Sequence, residues 1–325
     1  MTGSRIGHGI HRRKEMKQVP RISKANIGGR AKKDYKLWIY LFPCLLFVAA
    51  FSYVPIAGWI LAFMDYIPGV PLTDVPMAGL KNFMLIFDDL ENLTRVMKNT
   101  VVFAALGYVA APLPMIFAIA LNEVANTKLK RTIQTITTFP NFISWVIVYA
   151  LAFQFFSYDG LLSNLLTSIG IAEEPTSLIA NAGAVYVFQT VMGLWKGLGW
   201  NAVIYLAAIA GIDQERYEAA DIDGAGRLQK IWYITVPSVM PTFIVLMLLQ
   251  ISSFVGNGFE QYLTFYNGIV ADKIEVLDLY VYRAGLLRSD YSYGTAIGIM
   301  KSIISMGMLF GMNRLSKKIR GDSIF

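Results

Sequence analysis

The chain has 325 residues, of which 55% are hydrophobic and only 16% charged, and its mean hydropathy is +0.49. A soluble domain carries about a quarter charged residues, so the composition excludes an ordinary soluble protein and points to the membrane class. The net charge of +7 does not argue for nucleic acid, because 11 of the 29 Lys and Arg fall in residues 1–36, ahead of the first apolar run, as in a cytoplasmic flank.

That basic tail holds both histidines, His8 and His11. It resembles the n-region of a signal peptide, but the apolar run behind it is too long for an h-region and lacks a small-residue cleavage site. It therefore reads as leading into an uncleaved first span. Cys44, the sole cysteine, lies inside that run, so neither a disulfide nor a Cys- or His-ligated metal site is expected.

A helix needs about 20 apolar residues to cross hydrocarbon. Six segments qualify, at residues 37–64, 100–124, 132–156, 184–212, 237–262 and 291–315, with 160–170 as a short interfacial helix. The expected fold is an all-α membrane protein: a tail at 1–36, a six-helix membrane domain at 37–315 and a second tail at 316–325. With the N-terminus inside, 21 of the 29 Lys and Arg lie on inner segments, while 158–183 has none. The positive-inside rule then puts both termini in the cytoplasm, together with the polar stretch between spans four and five.

The outer segments are longer. Residues 65–98 open with Pro68, Pro71 and Pro76 and continue into an amphipathic piece at 80–90, read as a helix on the bilayer surface. Residues 264–290 carry Arg283 and Arg288 among Tyr280 and Tyr282, suited to an external partner or solute. Helix breakers recur inside the spans: Pro43 and Pro55, Pro112 and Pro114, and Gly256 and Gly258 around Asn257. Breaks at membrane depth are tolerated where neighbouring helices or a water-filled cavity satisfy the freed backbone groups.

Two lysines, Lys196 and Lys301, also lie inside predicted spans. A charge at that depth has to be paired, hydrated or snorkelling. One reading is structural: Lys301 snorkels or pairs with Glu260, and Trp195 and Trp200 anchor or pack. The other is a hydrated cavity in which Lys196, Lys301, Glu260, Gln261, Asn201 and Asn257 bind a polar solute, with Trp195 and Trp200 stacking on sugar faces.

No phosphate-binding G-x-x-x-x-G-K-[ST] loop, H-E-x-x-H or G-x-S-x-G motif is present, so no ATPase or hydrolase chemistry of its own is expected. The stretch 217–241 instead carries Glu218, Ala219 and Ala220, then Asp223 and Gly224, and after nine residues Ile234, Thr235, Val236 and Pro237. It reads as a short helix, a glycine turn at Gly224 and Gly226, a second helix, and Pro237 opening span five. This pattern resembles the E-A-A loop of ABC importer permeases, with Val236 in place of the usual Leu. The six-span layout and the segment WKGLGWNAVIYLAAIAGI extend the resemblance over about the whole chain, towards the oligosaccharide branch of lipo-oligosaccharide and alginate type.

The resemblance implies a type I importer fold and a non-catalytic subunit of the bacterial inner membrane. Its implied partners are a second homologous permease, a cytosolic ATPase dimer that holds ATP and Mg, and an extracytoplasmic solute-binding protein. The chain itself is expected to bind no cofactor. Its loop at 213–236 would dock on the ATPase through Glu218, Ala219, Ala220, Asp223, Gly224 and Pro237. The implied cargo is an oligosaccharide, with uronate-type acidic chains among the candidates. An ion-coupled secondary transporter is the alternative, but it would need internal symmetry, and residues 37–156 and 184–315 show no convincing repeat.

Overall fold

The computed structural model describes residues 35–256 and 258–320, and among these every regular element is helical, the lone β-bridge joining Met64 to Met77. Residues 1–34 of the basic tail, the last five residues and Asn257 lie outside the described residues. The chain divides into two units, up to Gly58 and from Trp59 onward.

In the first unit, helix α1 (Tyr35–Val48) runs through Pro43, widens into a π-turn at Ala49–Tyr53 and enters a 3-10 helix at Val54–Phe63. A proline inside a helix removes a donor and crowds the preceding turn, and Pro43 and Pro55 bracket this change of winding. Side chains 38–58 are all exposed although nearly all are apolar. A helix apolar on every side belongs in a bilayer or against another apolar surface.

The second unit begins with α2 (Lys81–Asp88), α3 (Leu90–Ala110) and α4 (Pro112–Asn122). It continues with α5 (Thr127–Thr138), α6 (Trp145–Phe156), α7 (Leu161–Ser168) and α8 (Val185–Ala210). After α9 (Gln214–Ile222), α10 (Arg227–Lys230) and α11 (Val236–Ser252) come three short helices, α12 (Phe259–Phe265), α13 (Ala271–Ile274) and α14 (Leu277–Tyr282), and the long α15 (Tyr291–Arg320).

Among the described residues, five stretches are long and apolar enough to cross a membrane: Trp38–Phe63, Leu90–Asn122, Trp145–Ser168, Arg227–Ser252 and Tyr291–Arg314. Helix α8 covers the segment expected at 184–212 and its 26 residues reach about 39 Å. Gln189, Lys196 and Asn201 dilute its apolar character and keep it out of that set.

Three expected boundaries move. The second span starts at Leu90 rather than at 100, because α3 extends through polar Asn92, Arg95 and Asn99, and the last two bond to Asp272 and Glu275. The span expected at 132–156 is not one helix: α5 ends at Thr138, Phe139–Phe142 forms a 3-10 turn around Pro140, and Ser144 caps α6. The chain leaves helical geometry at Ile143 (ψ 135°) and Ser144 (ψ 152°), just past that turn, so apolar continuity there did not mean helical continuity. The span expected at 237–262 ends at Ser252, and Gly258 (φ 78°) reverses the chain into α12.

Helix α8 is central to the packing. Its Val185 and Phe188 pack with Phe103, Val148, Tyr262 and Phe265, while its Ala202, Tyr205 and Ile209 pack with Met115, Ala118 and Ile119 of α4 and Val239 of α11. Helix α5 crosses α8 so closely that a Cβ at Gly199 would lie 2.3 Å from the Thr137 carbonyl carbon. Gly199→Ala should therefore destabilise the protein by about 1–3 kcal/mol, read as a lower melting temperature in detergent. Gly298→Ala, inside α15 with open space for its Cβ, should hold the melting temperature or raise it slightly, since alanine favours a helix interior over glycine.

Candidate functional site

The breaks between α3 and α4 and between α11 and α12 frame a cavity of about 490 Å³, within the range of small-molecule sites. Its walls come from α3 (Thr100, Phe103, Gly107), α4 (Pro114), α8 (Gln189, Gly193, Asn201, Tyr205) and α11 (Phe243, Gln250), with Gly258, Gln261, Tyr262 and Val276 completing the lining. Among the described residues no charged side chain lines it. What it offers a ligand is amides, hydroxyls and aromatic edges.

The amides are held in place. The Gln261 amide nitrogen donates to the Gln189 carbonyl (2.7 Å) and to the Gln189 side-chain oxygen (2.8 Å). Gly193 leaves room for the Gln261 oxygen and Gly107 for the Gln250 amide; a Cβ at either would stand 3.3 Å from that group. Gly258 is required twice over. Its φ is in the left-handed region, and a Cβ would sit 2.5 Å from the Tyr262 ring.

One side of the cavity is closed by residues 272–277, which are pinned to a single face of α3. Asn99 donates to the Asp272 and Glu275 carbonyls (2.9 and 3.0 Å) and accepts from the Tyr186 hydroxyl (2.6 Å). The Leu277 amide donates to the Thr100 hydroxyl at 3.0 Å. Glu275, only 3% exposed, binds Arg95 (2.9 Å) and Arg283, and Arg283 also lies 4.5 Å over the Tyr266 ring.

The site residues expected from the sequence thus divide. Asn201 and Gln261 line the cavity; Trp195, Lys196, Trp200, Glu260 and Lys301 do not. The Lys196 ammonium donates to the Asn141 carbonyl at 2.8 Å and sits over the Trp145 ring. Trp200 meets Phe142 edge-on, and Trp195 lines a separate apolar groove with Leu151, Phe155 and Met192. Lys301 pairs with Asp278 and not with Glu260: α14 brings Asp278 to the face of α15 beside Gly256, while Glu260 is exposed at the start of α12. Asn257 lies outside the described residues. The expectation overlooked Gln189, Thr190 and Gln250, although a glutamine in an otherwise apolar run is itself a signal at membrane depth.

The polar stretch between α8 and α11 is the second feature. Asp213 caps α9 by accepting from the Glu215 amide at 3.0 Å. The helix then ends in a Schellman motif: the Ala225 amide donates to the Ala220 carbonyl (2.9 Å), the Gly224 amide to the Asp221 carbonyl (3.1 Å), and Gly224 takes φ 78°. This closure sets the spacing between Ala220 and Gly224. Lys230 pairs with Asp221 (2.7 Å), the Tyr217 and Thr235 hydroxyls meet at 2.8 Å, and Pro237 sits in the first turn of α11, where no backbone donor is needed. Ile222, Leu228, Trp232 and Tyr233 stay exposed, Ile222 at 88%.

The profile of the binding-protein-dependent transport system inner membrane components matches residues 104–321. The chain belongs to this family. Protein LplB of Bacillus subtilis (strain 168) is 37% identical over 90% of this chain and 92% of its own length. The polygalacturonan/rhamnogalacturonan transport system permease protein YteP of the same organism is 35% identical over 89% and 90%. Among solved structures, that of a bacterial alginate ABC transporter in complex with an alginate pentasaccharide-bound periplasmic protein superposes with a TM-score of 0.82 at 30% identity, covering 92% of this chain and 99% of that one.

Removing Glu275 would leave Arg283, less than a third exposed, without its carboxylate and Arg95 with only the exposed Asp272. Glu275→Ala should cost about 3 kcal/mol. Asp65→Ala, which breaks the exposed pair with Lys81, should cost less than about 1 kcal/mol. Thermal unfolding of both variants in the same detergent checks the contrast.

Proposed function

We propose that this chain is the permease subunit of an ATP-driven importer of oligosaccharides. It receives cargo from an external solute-binding protein and forms half of a translocation path with a second, homologous permease. A cytosolic ATPase pair, which holds ATP and its magnesium, drives it through α9 and the Gly224 turn. Both termini face the cytoplasm, as the clustering of 21 of the 29 Lys and Arg on inner segments favours.

The observation that carries this reading is the Schellman-closed α9 with Ile222, Leu228, Trp232 and Tyr233 exposed beside it. Helix α9 is too polar to lie in hydrocarbon, yet large apolar side chains stay exposed at and beyond its end, as on a docking element. Small Ala219 and Ala220 permit close approach, and Glu218 is available for a charge-assisted hydrogen bond from the ATPase.

Cargo class follows from the cavity and the relatives. Asn201, Gln250, Gln261 and Tyr205 suit sugar hydroxyls, and Phe103 and Tyr262 suit C–H faces of the rings. The names of YteP and of the alginate transporter support uronate chains. In this chain, however, Lys301 and Arg283 are paired within the protein and Lys196 is bonded to a carbonyl. Any preference for acidic cargo would therefore be exercised by the binding protein or the second permease.

In proteoliposomes holding the whole assembly, both neutral and uronic oligosaccharides should be screened for stimulation of ATPase activity. Oligosaccharides of either kind should stimulate, and no response to any of them would overturn the cargo class. Gly224→Trp should insert and assemble but lose transport at least tenfold, because a bulky residue at φ 78° deforms the turn. Normal transport by that variant would count against coupling through this loop.

A further inference from the structure

We infer that Arg227 is a positioning residue that ties the coupling loop to α4, so that a displacement of the loop is delivered to the cavity wall at Pro114. The inference rests on the coupling role proposed above.

The loop also packs Ile231 against the apolar cluster that holds Met115, Ala118 and Ile119 of α4, and Arg227 adds a directional polar tie to the same helix. Arg227, the first residue of α10, reaches 104 positions back along the chain. Its Nη2 donates to the Glu123 carbonyl at 2.7 Å and its Nε to a Glu123 carboxylate oxygen at 3.1 Å. Glu123 is the C-cap of α4. The last carbonyls of a helix lack intrahelical partners and carry the negative end of its dipole, so a guanidinium there engages a free acceptor and two sources of negative charge. The grip is on the end of the helix itself as well as on a side chain.

Helix α4 is a stiff element lying between the loop and the cavity. Pro112 breaks it from α3, and Pro114, two residues on, lines the cavity. Between Pro114 and Glu123, its Met115, Ala118 and Ile119 pack against Ala202, Tyr205 and Ile209 of α8. A pull at Glu123 is therefore carried along a rigid 11-residue helix to a wall residue that shares the cavity with Tyr205. The Arg227 side chain is 70% exposed, so the ion pair contributes little to folding stability. Its role is in linking two bodies.

The test uses the full assembly in proteoliposomes and reads sugar moved per ATP hydrolysed. Arg227→Ala should lower that ratio about fivefold, within the ordinary range of coupling between sites, while stimulated ATPase activity stays within about twofold. Glu123→Ala should lower it less, since the backbone carbonyl remains. The double variant should be no worse than Arg227→Ala, and Arg227→Lys should recover part of the loss. An unchanged ratio in Arg227→Ala, additive losses in the double variant, or a parallel fall of ATPase and transport would each overturn the link. If Gly224→Trp uncouples and Arg227→Ala does not, only this inference fails; if Gly224→Trp transports normally, the coupling reading itself fails.

Discussion

A backbone group that leaves the helical ladder within an apolar layer must find a partner inside the protein, and much of this structure follows from that constraint. At the Phe139–Phe142 turn, Lys196 of α8 supplies a donor to the Asn141 carbonyl. Where α13 gives way to α14, Asn99 of α3 supplies donors to two carbonyls. Beyond the Gly258 reversal, Gln261 reaches back to the Gln189 carbonyl of α8. Each interruption is thus tied to a helix far away in sequence, and the cavity lies where two of the interruptions, at Ala111–Pro112 and Ser253–Gly258, face each other.

The same constraint explains the distribution of charge. Ionised groups inside or beside the spans are held in pairs or small networks, as with Lys301 and Asp278, and with Arg95, Glu275 and Arg283. They hold segments in place and leave the cavity neutral. A neutral lining of amides and hydroxyls can hydrogen-bond a polar solute without gripping it by charge, and a transport path must release its cargo as well as admit it. The loop between α8 and α11 has the reverse character, being polar and exposed, and closed by a glycine turn that only local backbone bonds define.

Much of this organisation was legible along the chain. The apolar runs marked the membrane class, and local signals marked the loop: a glycine turn at Gly224 and Gly226, and Pro237 opening the next span. These are short-range features whose physics acts over a few residues. The break around Gly256 and Gly258 was legible for the same reason. Apolar continuity from 132 to 156 misled, because hydropathy averages over a proline turn that costs few apolar residues. The cavity was only half visible. Asn201 and Gln261 stood out by their neighbours, whereas Gln189 and Gln250 were passed over in favour of the more conspicuous lysines.

The sequence by itself determined that the chain lives in a membrane, that its helices break at Pro112 and near Gly258, and that a glycine turn stands at Gly224, since composition, proline and glycine act locally. Tertiary structure decided which polar groups meet. Lys301 finds Asp278 rather than Glu260, Glu275 finds Arg95 across 180 residues, and Arg227 finds the end of α4. Such pairings depend on which helices pack side by side and at what depth, and no spacing along the chain encodes that.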